Sequence, residues 1–268
     1  MASRQLAQLA ATVFALCALA GTATAGSKDA TGAEAGVAGA GKADTPLGVV
    51  ELFTSQGCSS CPPADALFAD LVARRDVVAL AYHVDYWDYL GWKDTLGTRK
   101  STERQYAYMR AFRTRSVYTP QAVINGRAHV NGASRTEVDN ALTGMEKAAQ
   151  GMRVPIKVTH AGDGVVIDAG DAGASPASAH VVVVYFSPPQ TITIGKGENK
   201  GRSQTYWNAV SDVQTAGVWH GKAQRYELPM SEMAGKGGCA VLLQAVGKDG
   251  LPGPILGAAM IRKPEQAQ

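Results

Sequence analysis

The chain has 268 residues and a formal net charge of +3, enough length for two modest domains of about 100–150 residues each. A charge this close to neutral gives no reason to expect nucleic-acid binding or attraction to an acidic membrane surface. Four cysteines in a chain of this length exclude a small scaffold held together by dense disulfides.

The first 25 residues have the composition of a secretory signal peptide. Arg4 supplies a positive start, an apolar run extends from Leu9 to Leu19, and Ala23 to Ala25 has the small residues of a cleavage site. A buried first helix is the alternative, but the apolar run is shorter than the roughly 20 residues that cross a bilayer. We therefore expect residues 1–25 to be removed, giving a periplasmic or secreted protein with no stable membrane span.

The mature chain is expected to start with a flexible linker over residues 26–45. This stretch is rich in Ala and Gly and holds too few large side chains to offset its ordering entropy. Export leaves three cysteines, Cys58, Cys61 and Cys239. Cys239 falls in a predicted core strand, where a buried, unreactive thiol is the simpler interpretation.

A C-x-x-C motif at a strand–helix junction organises the first half of the chain. Gly48 to Phe53 has the apolar, β-forming residues of a buried strand. Ala64 to Val72 repeats apolar residues at helical intervals, so a helix begins at or just after Cys58 and Cys61. The free amides and the dipole at a helix start favour a thiolate. The motif indicates thiol–disulfide exchange, with Cys58 attacking and Cys61 resolving the mixed disulfide.

A structural disulfide and half of a zinc site are the alternatives for this motif. A zinc site of four ligands needs a second close pair of Cys or His, which the sequence lacks. We therefore expect neither a metal nor another cofactor.

A second buried strand is predicted from Val77 to Val84, which completes a β-α-β unit. His83 and Asp85 lie at the end of this strand, at the sheet edge that should carry the cysteines. They are candidate modulators of the reaction: a proton relay through His83 is one interpretation, and a histidine satisfied at a strand end is the other. The aromatic stretch Tyr86 to Trp92 could line a groove for an unfolded client or pack on the sheet as a lid.

The next elements are a helix at about Arg99 to Phe112, a hairpin with its turn at Asn125-Gly126, and a last helix capped by Ser134. The order β-α-β, helix, β-β-α, with C-x-x-C after the first strand, resembles the thioredoxin fold. That resemblance implies a cis Thr119-Pro120 bond in a turn beside the cysteines. It also implies that the backbone of Thr119 pairs with a bound peptide, so Thr119 and Pro120 would position the substrate.

Short β-rich runs replace helical patterns from about Val154 onward. Gly, Asp, Asn and Pro separate these runs, as in an antiparallel sandwich. We therefore expect a thioredoxin-like α/β domain over residues 46–150, followed by a mainly antiparallel, sandwich-like β domain over residues 151–264.

The polar loop Gly197 to Arg202 lies in this second half and carries Glu198, Asn199 and Arg202. We expect it to fold back toward the cysteines and to modulate them. Arg202 would either pair with Asp85 or lower the pKa of Cys58, because a nearby cation favours a thiolate. A solvent-exposed hairpin pointing away is the alternative.

Several separated motifs together resemble those of an exported bacterial family of unknown function (domain of unknown function 1223), whose first half is similar to thioredoxins. These motifs are Glu51 to Asp65, Tyr82 to Asp88, Tyr118 to Gln121, and Gly197 to Arg202. The resemblance covers about Thr45 to Ile261.

The sequence favours a periplasmic or secreted thiol–disulfide oxidoreductase whose partners are protein or small thiol substrates, and not nucleic acid. A copper-binding protein is an alternative, because paired thiolates select Cu(I) and His83 or His129 could add an imidazole. A redox-inert recognition module is the third hypothesis.

Overall fold

A computed structural model describes residues 45–161, 164–173 and 178–262. The predicted signal peptide and the predicted linker up to Asp44 lie outside the described residues. The α-helices in these ranges are α1 (Pro62–Ala73), α2 (Arg99–Phe112) and α3 (Arg135–Lys147). In the described part of the chain, no helix is both long and apolar enough to cross a membrane.

The strands are β1 (Gly48–Thr54), β2 (Val77–His83), β3 (Gln121–Ile124), β4 (Ala128–Asn131), β5 (Ile156–Ala161), β6 (Gly164–Ala169), β7 (Ala179–Phe186), β8 (Gln190–Thr193), β9 (Ser203–Tyr206), β10 (Val210–Trp219), β11 (Gln224–Pro229), β12 (Gly238–Val246) and β13 (Pro252–Arg262). They form four sheets, with the orders β2-β1-β3-β4, β10-β7-β12-β13, β11-β6-β5 and β8-β9. The β1–β2 ladder is parallel, and the other ladders between these strands are antiparallel.

The prediction of a thioredoxin-like α/β domain followed by a mainly antiparallel β domain is wrong. The described residues are mostly antiparallel strands distributed over several sheets, with three helices, and they form no evident thioredoxin-like α/β core. Local patterns identify single strands and helices, but they do not show how these elements assemble. The β1–β2 ladder is parallel as expected, but the β1–β3 and β3–β4 ladders are antiparallel, and β7 and β12 from the second half of the chain contribute to the core beside β1.

The sheets stack in layers, and residues that alternate along each strand face different layers. In β1, Val50 and Leu52 pack toward α1 and α3, whereas Phe53 packs toward the sheet that contains β7. In β12, Leu242 faces the first sheet and Val241 faces the sheet of β5 and β6. The central hydrophobic core is therefore shared by residues from both halves of the chain. The boundaries proposed near residue 150 stay a prediction.

A buried polar network crosses this shared core. The guanidinium of Arg104 in α2 donates 2.7 Å to Glu51 in β1 and 3.0 Å to Gln244 in β12. The Tyr108 hydroxyl donates a short hydrogen bond to Glu51 and accepts one of 2.9 Å from Gln244. Since Glu51 and Tyr108 are fully buried, each needs these partners.

The outer edge of β2 is covered by the chain just before β10. Ala81 pairs with Ala209 in an isolated parallel bridge, and the Ala81 amide donates 3.1 Å to the Asn208 carbonyl oxygen. The side-chain amide of Asn208 donates 2.9 Å to the carbonyl oxygen of Ala79. The backbone groups of this edge are therefore satisfied by a segment far away in sequence.

Local sequence signals are confirmed in the first half. Helix α2 has its predicted bounds, and the Ser134 hydroxyl accepts a hydrogen bond from the Glu137 amide at the start of α3. Asn125 and Gly126 both have positive φ, 52° and 62°, in the β3–β4 turn, as a two-residue hairpin of this type requires.

Candidate functional site

The two cysteines of the C-x-x-C motif form a disulfide at the junction of β1 and α1, with Cα atoms 5.4 Å apart. After β1 ends at Thr54, a tight turn follows in which the Cys58 amide donates 3.1 Å to the Ser55 carbonyl oxygen. Helix α1 begins at Pro62, directly after its N-cap residue Cys61. Prolines fit these first positions because the amides there have no helical partner. The predicted strand–C-x-x-C–helix arrangement is confirmed.

Both cysteines are buried, with 1% of Cys58 and none of Cys61 exposed. Cys58, to which the sequence analysis assigns the attacking role, is therefore about as inaccessible as Cys61 in the disulfide form. The intervening Ser59 and Ser60 are exposed, so the motif reaches the surface through these two serines. A reaction at either sulfur requires the covering groups to move aside.

The structure places Thr119 and Pro120 beside the disulfide. The Thr119 carbonyl oxygen lies 3.8 Å from Sγ of Cys58, and the Thr119-Pro120 bond is cis, as predicted. The Thr119 hydroxyl accepts a hydrogen bond of 2.8 Å from the indole of Trp87. The turn before β3 is thus fixed against the motif from the side of the aromatic segment.

The aromatic segment, Tyr86 to Trp92, packs on the motif, which corresponds to the lid interpretation. The Trp92 indole donates 2.8 Å to the Gln56 side chain. Gly57 lies so close to Trp87 that a Cβ added there would be 3.1 Å from its Cβ. Tyr89 is 76% exposed and stacks on the Trp87 ring, so the outer surface of the lid is aromatic.

The loop Gly197 to Arg202 folds back onto the motif, as predicted. The side-chain amide of Asn199 donates 2.9 Å to the Gln56 carbonyl oxygen and 2.8 Å to the Cys58 carbonyl oxygen. Only 2% of Asn199 is exposed. This residue therefore ties a loop from the second half of the chain directly to the backbone of the C-x-x-C motif.

The charged residues Glu198 and Arg202 of this loop differ from Asn199 in their exposure and contacts. Glu198 and Arg202 are exposed, and neither forms an ion pair with another residue in the described ranges. The predicted pairing of Arg202 with Asp85 is not observed. Asp85 instead accepts a hydrogen bond of 2.6 Å from the Thr102 hydroxyl in α2.

A buried cluster of titratable side chains, Asp65, His83 and Asp94, lies beneath the motif. Nδ1 of His83 is 2.9 Å from Oδ2 of Asp94, and that same carboxylate oxygen accepts 2.8 Å from the Gln56 amide. The Asp65 carboxylate in the first turn of α1 accepts 2.8 Å from the Thr54 hydroxyl. All three titratable residues are at most 5% exposed.

Burial and mutual charge set the protonation of this cluster. Burial raises the pKa of Asp65 to about 7, against the opposing charge of His83. Burial opposes the charged form of His83, but the adjacent Asp94 outweighs it and the pKa of His83 is raised. Burial likewise opposes the Asp94 carboxylate, but His83 and two backbone amides outweigh it and the pKa of Asp94 is lowered. The cluster can therefore hold or release a proton near neutral pH.

Comparison with known proteins gives a family and a related structure. The family described as "Protein of unknown function (DUF1223)" matches residues 49–244. The chain belongs to this family. The match includes the disulfide, the Thr119-Pro120 turn and the Asn199 loop. Membership of this family of unknown function, predicted from the separated motifs, is therefore confirmed, whereas export stays a prediction.

A crystal structure of protein AGR_C_4864 from Agrobacterium tumefaciens is similar to this DUF1223 chain, with 46% sequence identity and a TM-score of 0.76. The similarity covers 84% of this chain and 98% of that one. No curated protein matches the chain.

Sequence reasoning about this DUF1223 chain missed Asp65 and Asp94. Asp65 could have been found from the sequence, because it is a polar residue in the otherwise apolar first turn of α1. Asp94 carried no signal, because its role depends on a loop returning eleven residues after His83. Within the described ranges, no group of three or more His, Cys, Asp and Glu could hold a metal ion.

The remaining cysteine and histidine candidates lie in other surroundings. Cys239 is a buried free thiol in β12, and burial raises its pKa to about 11, so it is a poor nucleophile. Nδ1 of His129 is 2.9 Å from the Tyr118 hydroxyl, and its ring packs against Phe112.

Proposed function

We propose that the protein is a thiol–disulfide oxidoreductase of the periplasm or another compartment outside the cytoplasm, acting on protein or small-molecule thiols. One observation carries the proposal: the Cys58–Cys61 disulfide closes at the start of α1 with the Thr119 carbonyl oxygen 3.8 Å from the Cys58 sulfur. The predicted signal peptide and the oxidised state of the motif are consistent with such a compartment.

The exchange reaction begins when a substrate thiolate attacks Sγ of Cys58. A new sulfur–sulfur bond forms, the Cys58–Cys61 bond breaks, and Cys61 leaves as a thiolate that takes up a proton. A second substrate thiol then attacks the mixed disulfide and releases Cys58 as a thiolate, which is protonated in turn. The substrate dithiol is oxidised to a disulfide and the protein disulfide is reduced to two thiols. The reverse sequence reduces a substrate disulfide.

The buried cluster of Asp65, His83 and Asp94 lies near the cysteines and can donate or accept the protons of this reaction. Asp65 follows Cys61 by four residues in the first turn of α1, and its amide donates 3.0 Å to the Cys61 carbonyl oxygen. A carboxyl with a pKa of about 7 exchanges protons readily at neutral pH. His83 and Asp94 hold the compensating charges. We assign the cluster to proton transfer, with Asp94 positioning His83.

Access to Cys58 depends on the elements that cover it. The Asn199 loop is tied to the motif by two hydrogen bonds from Asn199. In the aromatic segment, Trp92 donates to Gln56 and Trp87 donates to Thr119 beside the motif. Loops held by a few contacts open at lower free energy than the core. A substrate therefore meets the motif from the side of Ser59 and Ser60, after one of these covers is displaced.

The experiment is a redox titration of the purified mature protein, followed by insulin reduction and oxidation of a reduced peptide. We expect reversible reduction of one disulfide by dithiothreitol and catalysis in at least one assay. Cys58→Ser should abolish the reversible reduction and the catalysis, whereas the control Cys239→Ala should retain both properties. A folded protein whose disulfide resists dithiothreitol, or whose catalysis survives Cys58→Ser, contradicts the proposal.

A further inference from the structure

A pocket of about 560 Å³ lies at the opposite edge of the first sheet from the disulfide. Its walls are the C-terminal end of α2, the β3–β4 turn and the connection between β12 and β13. The turn lies at the start of β1, because the Asn125 backbone amide donates 3.0 Å to the Val49 carbonyl oxygen. Cys58, in contrast, follows the end of β1. The pocket is therefore separate from the candidate redox site.

The lining of this pocket is strongly basic. Its charged side chains are four cations and one carboxylate: Arg110, Arg113, Arg127, Lys248 and Asp249. None of the four cations takes part in an ion pair with a residue that the structure describes. Elsewhere in the chain, cations such as Arg74 and Arg225 do have carboxylate partners.

Arg127 carries the strongest indication of a ligand. Its Nε atom is buried and has no hydrogen-bond partner among the described residues. Burial lowers the pKa of Arg127, and the nearby charge of Arg153 lowers it further. A buried guanidinium donor without an acceptor is costly. An anion bound at this place would supply the acceptor and the opposite charge.

The dipole of α2 explains only part of this charge. Arg110 and Arg113 lie at the C-terminal end of the helix, where cations are favourable without any ligand. Arg127 and Lys248 belong to other segments, so the preference of a helix end for cations does not account for their presence in the sequence. The turn that precedes Arg127 packs closely against the β12–β13 connection, since a Cβ on Gly126 would lie 2.5 Å from the Gly253 carbonyl oxygen. The four cations therefore line one pocket whose walls pack closely against each other.

We propose that this pocket binds a small molecule that carries an oxyanion, a phosphate or carboxylate group held by Arg127 and completed by Lys248 and the arginines of α2. Guanidinium groups match oxyanions through paired, charge-assisted hydrogen bonds. The pocket volume falls in the range of about 300–1,000 Å³ that small-molecule sites occupy. The proposal does not depend on the redox function.

The experiment titrates the full mature chain with inorganic phosphate and, separately, with citrate, following the unfolding temperature and the binding heat at constant ionic strength set by NaCl. We expect saturable stabilisation by at least one probe, and the stronger probe identifies the anion class. Arg127→Gln removes the charge and the guanidinium but keeps a polar side chain, and should weaken binding about tenfold or more.

The matched control is Arg99→Gln, which removes an exposed cation from the other end of α2 and should leave binding unchanged. If Arg127→Gln fails to fold, Lys248→Gln tests the opposite wall of the pocket and should also weaken binding. Absence of saturable binding by both probes overturns the proposal. So does equal binding by wild type and the pocket variants, which would indicate general screening by salt.

Discussion

Asn199 donates a hydrogen bond of 2.8 Å to the carbonyl oxygen of Cys58, 141 residues earlier in the chain. The same amide donates to the Gln56 carbonyl oxygen, so one buried side chain satisfies two backbone acceptors of the motif. The second half of the chain thus contributes directly to the surroundings of the disulfide. In this protein, the accessibility of Cys58 depends on a residue outside the C-x-x-C segment.

Asn199→Ala should expose the disulfide. The substitution leaves two carbonyl oxygens without their donor and weakens the closed loop by about 1–3 kcal/mol. Each 1.4 kcal/mol raises the open population about tenfold. We therefore expect reduction by dithiothreitol to become about tenfold faster, measured by thiol release under native conditions. Asn140→Ala, on the exposed face of α3, is the control, and an unchanged rate in Asn199→Ala would refute the gating role.

The two cysteines should differ in the intermediates they trap. In Cys61→Ser, Cys58 keeps its thiol beside the Thr119 carbonyl oxygen and cannot be resolved, so mixed disulfides with substrate should accumulate. Both cysteines are buried, but Sγ of Cys58 lies 3.6 Å from the hydroxyl of the exposed Ser60, so Cys61 should trap less in Cys58→Ser. Non-reducing gels and intact mass after incubation with an oxidised peptide compare the two variants. More trapping by Cys61 than by Cys58 would reverse the assigned roles.

Asp65 should make the stability of the oxidised protein fall as the pH rises. The folded state keeps the Asp65 proton up to about pH 7, against an ordinary value of 3.8, so between these values it binds more protons than the unfolded state. The free energy of unfolding therefore decreases over this interval. At 1.36 kcal/mol for each pH unit, the loss is on the order of 4 kcal/mol.

Asp65→Asn should remove most of this slope, as measured by urea unfolding from pH 4 to 8. A residual decrease should remain above pH 6.5, because the pKa of His83 is also raised and its contribution is lost as that proton leaves. Asp70→Asn, an exposed change on the same helix, should keep the wild-type slope. Parallel curves for wild type and Asp65→Asn would show that Asp65 does not titrate in this range.

Arg104→Ala should destabilise the fold far more than Arg99→Ala on the same helix. Arg104 is 13% exposed and pairs with a fully buried Glu51, whereas Arg99 and Glu103 are 76% and 62% exposed. Breaking a buried pair leaves an uncompensated charge and costs about 3–5 kcal/mol. An exposed pair four residues apart contributes about 0.3–0.5 kcal/mol. Chemical denaturation of both variants measures the difference, and equal losses would show that Arg104 has no special role.

The parts of the site that depend on short sequence spacing could be predicted. Cys58 and Cys61 close a disulfide at a strand–helix junction, and both the bounds of α2 and the Asn125-Gly126 turn are as expected. Each of these features is set by neighbours within a few residues. The fold-back of the Asn199 loop was also predicted, from its polar composition in a region without chemistry of its own.

The parts that depend on contacts between distant segments were not predictable. The fold class was wrong because local patterns identify single strands and helices but not how they assemble: the core beside β1 also contains residues of β7 and β12 from the second half of the chain. The hydrogen-bond partner of His83 was missed, because Asp94 belongs to a loop that has no recognisable sequence motif. Arg202 was expected to pair with Asp85 or to lower the pKa of Cys58, whereas the observed contact of this loop with the motif is made by the side-chain amide of Asn199.

The covering of β2 by Asn208 and Ala209 has a consequence for how a client polypeptide can approach. A free strand edge invites an incoming peptide to extend the sheet through main-chain hydrogen bonds. The acceptor at Ala79 and the donor at Ala81 are already engaged by the protein's own backbone and Asn208 side chain. Sheet extension at this margin is therefore blocked internally. The other edge strand of this sheet is β4, whose residues are half-buried or exposed, so a client that extends this sheet would align there.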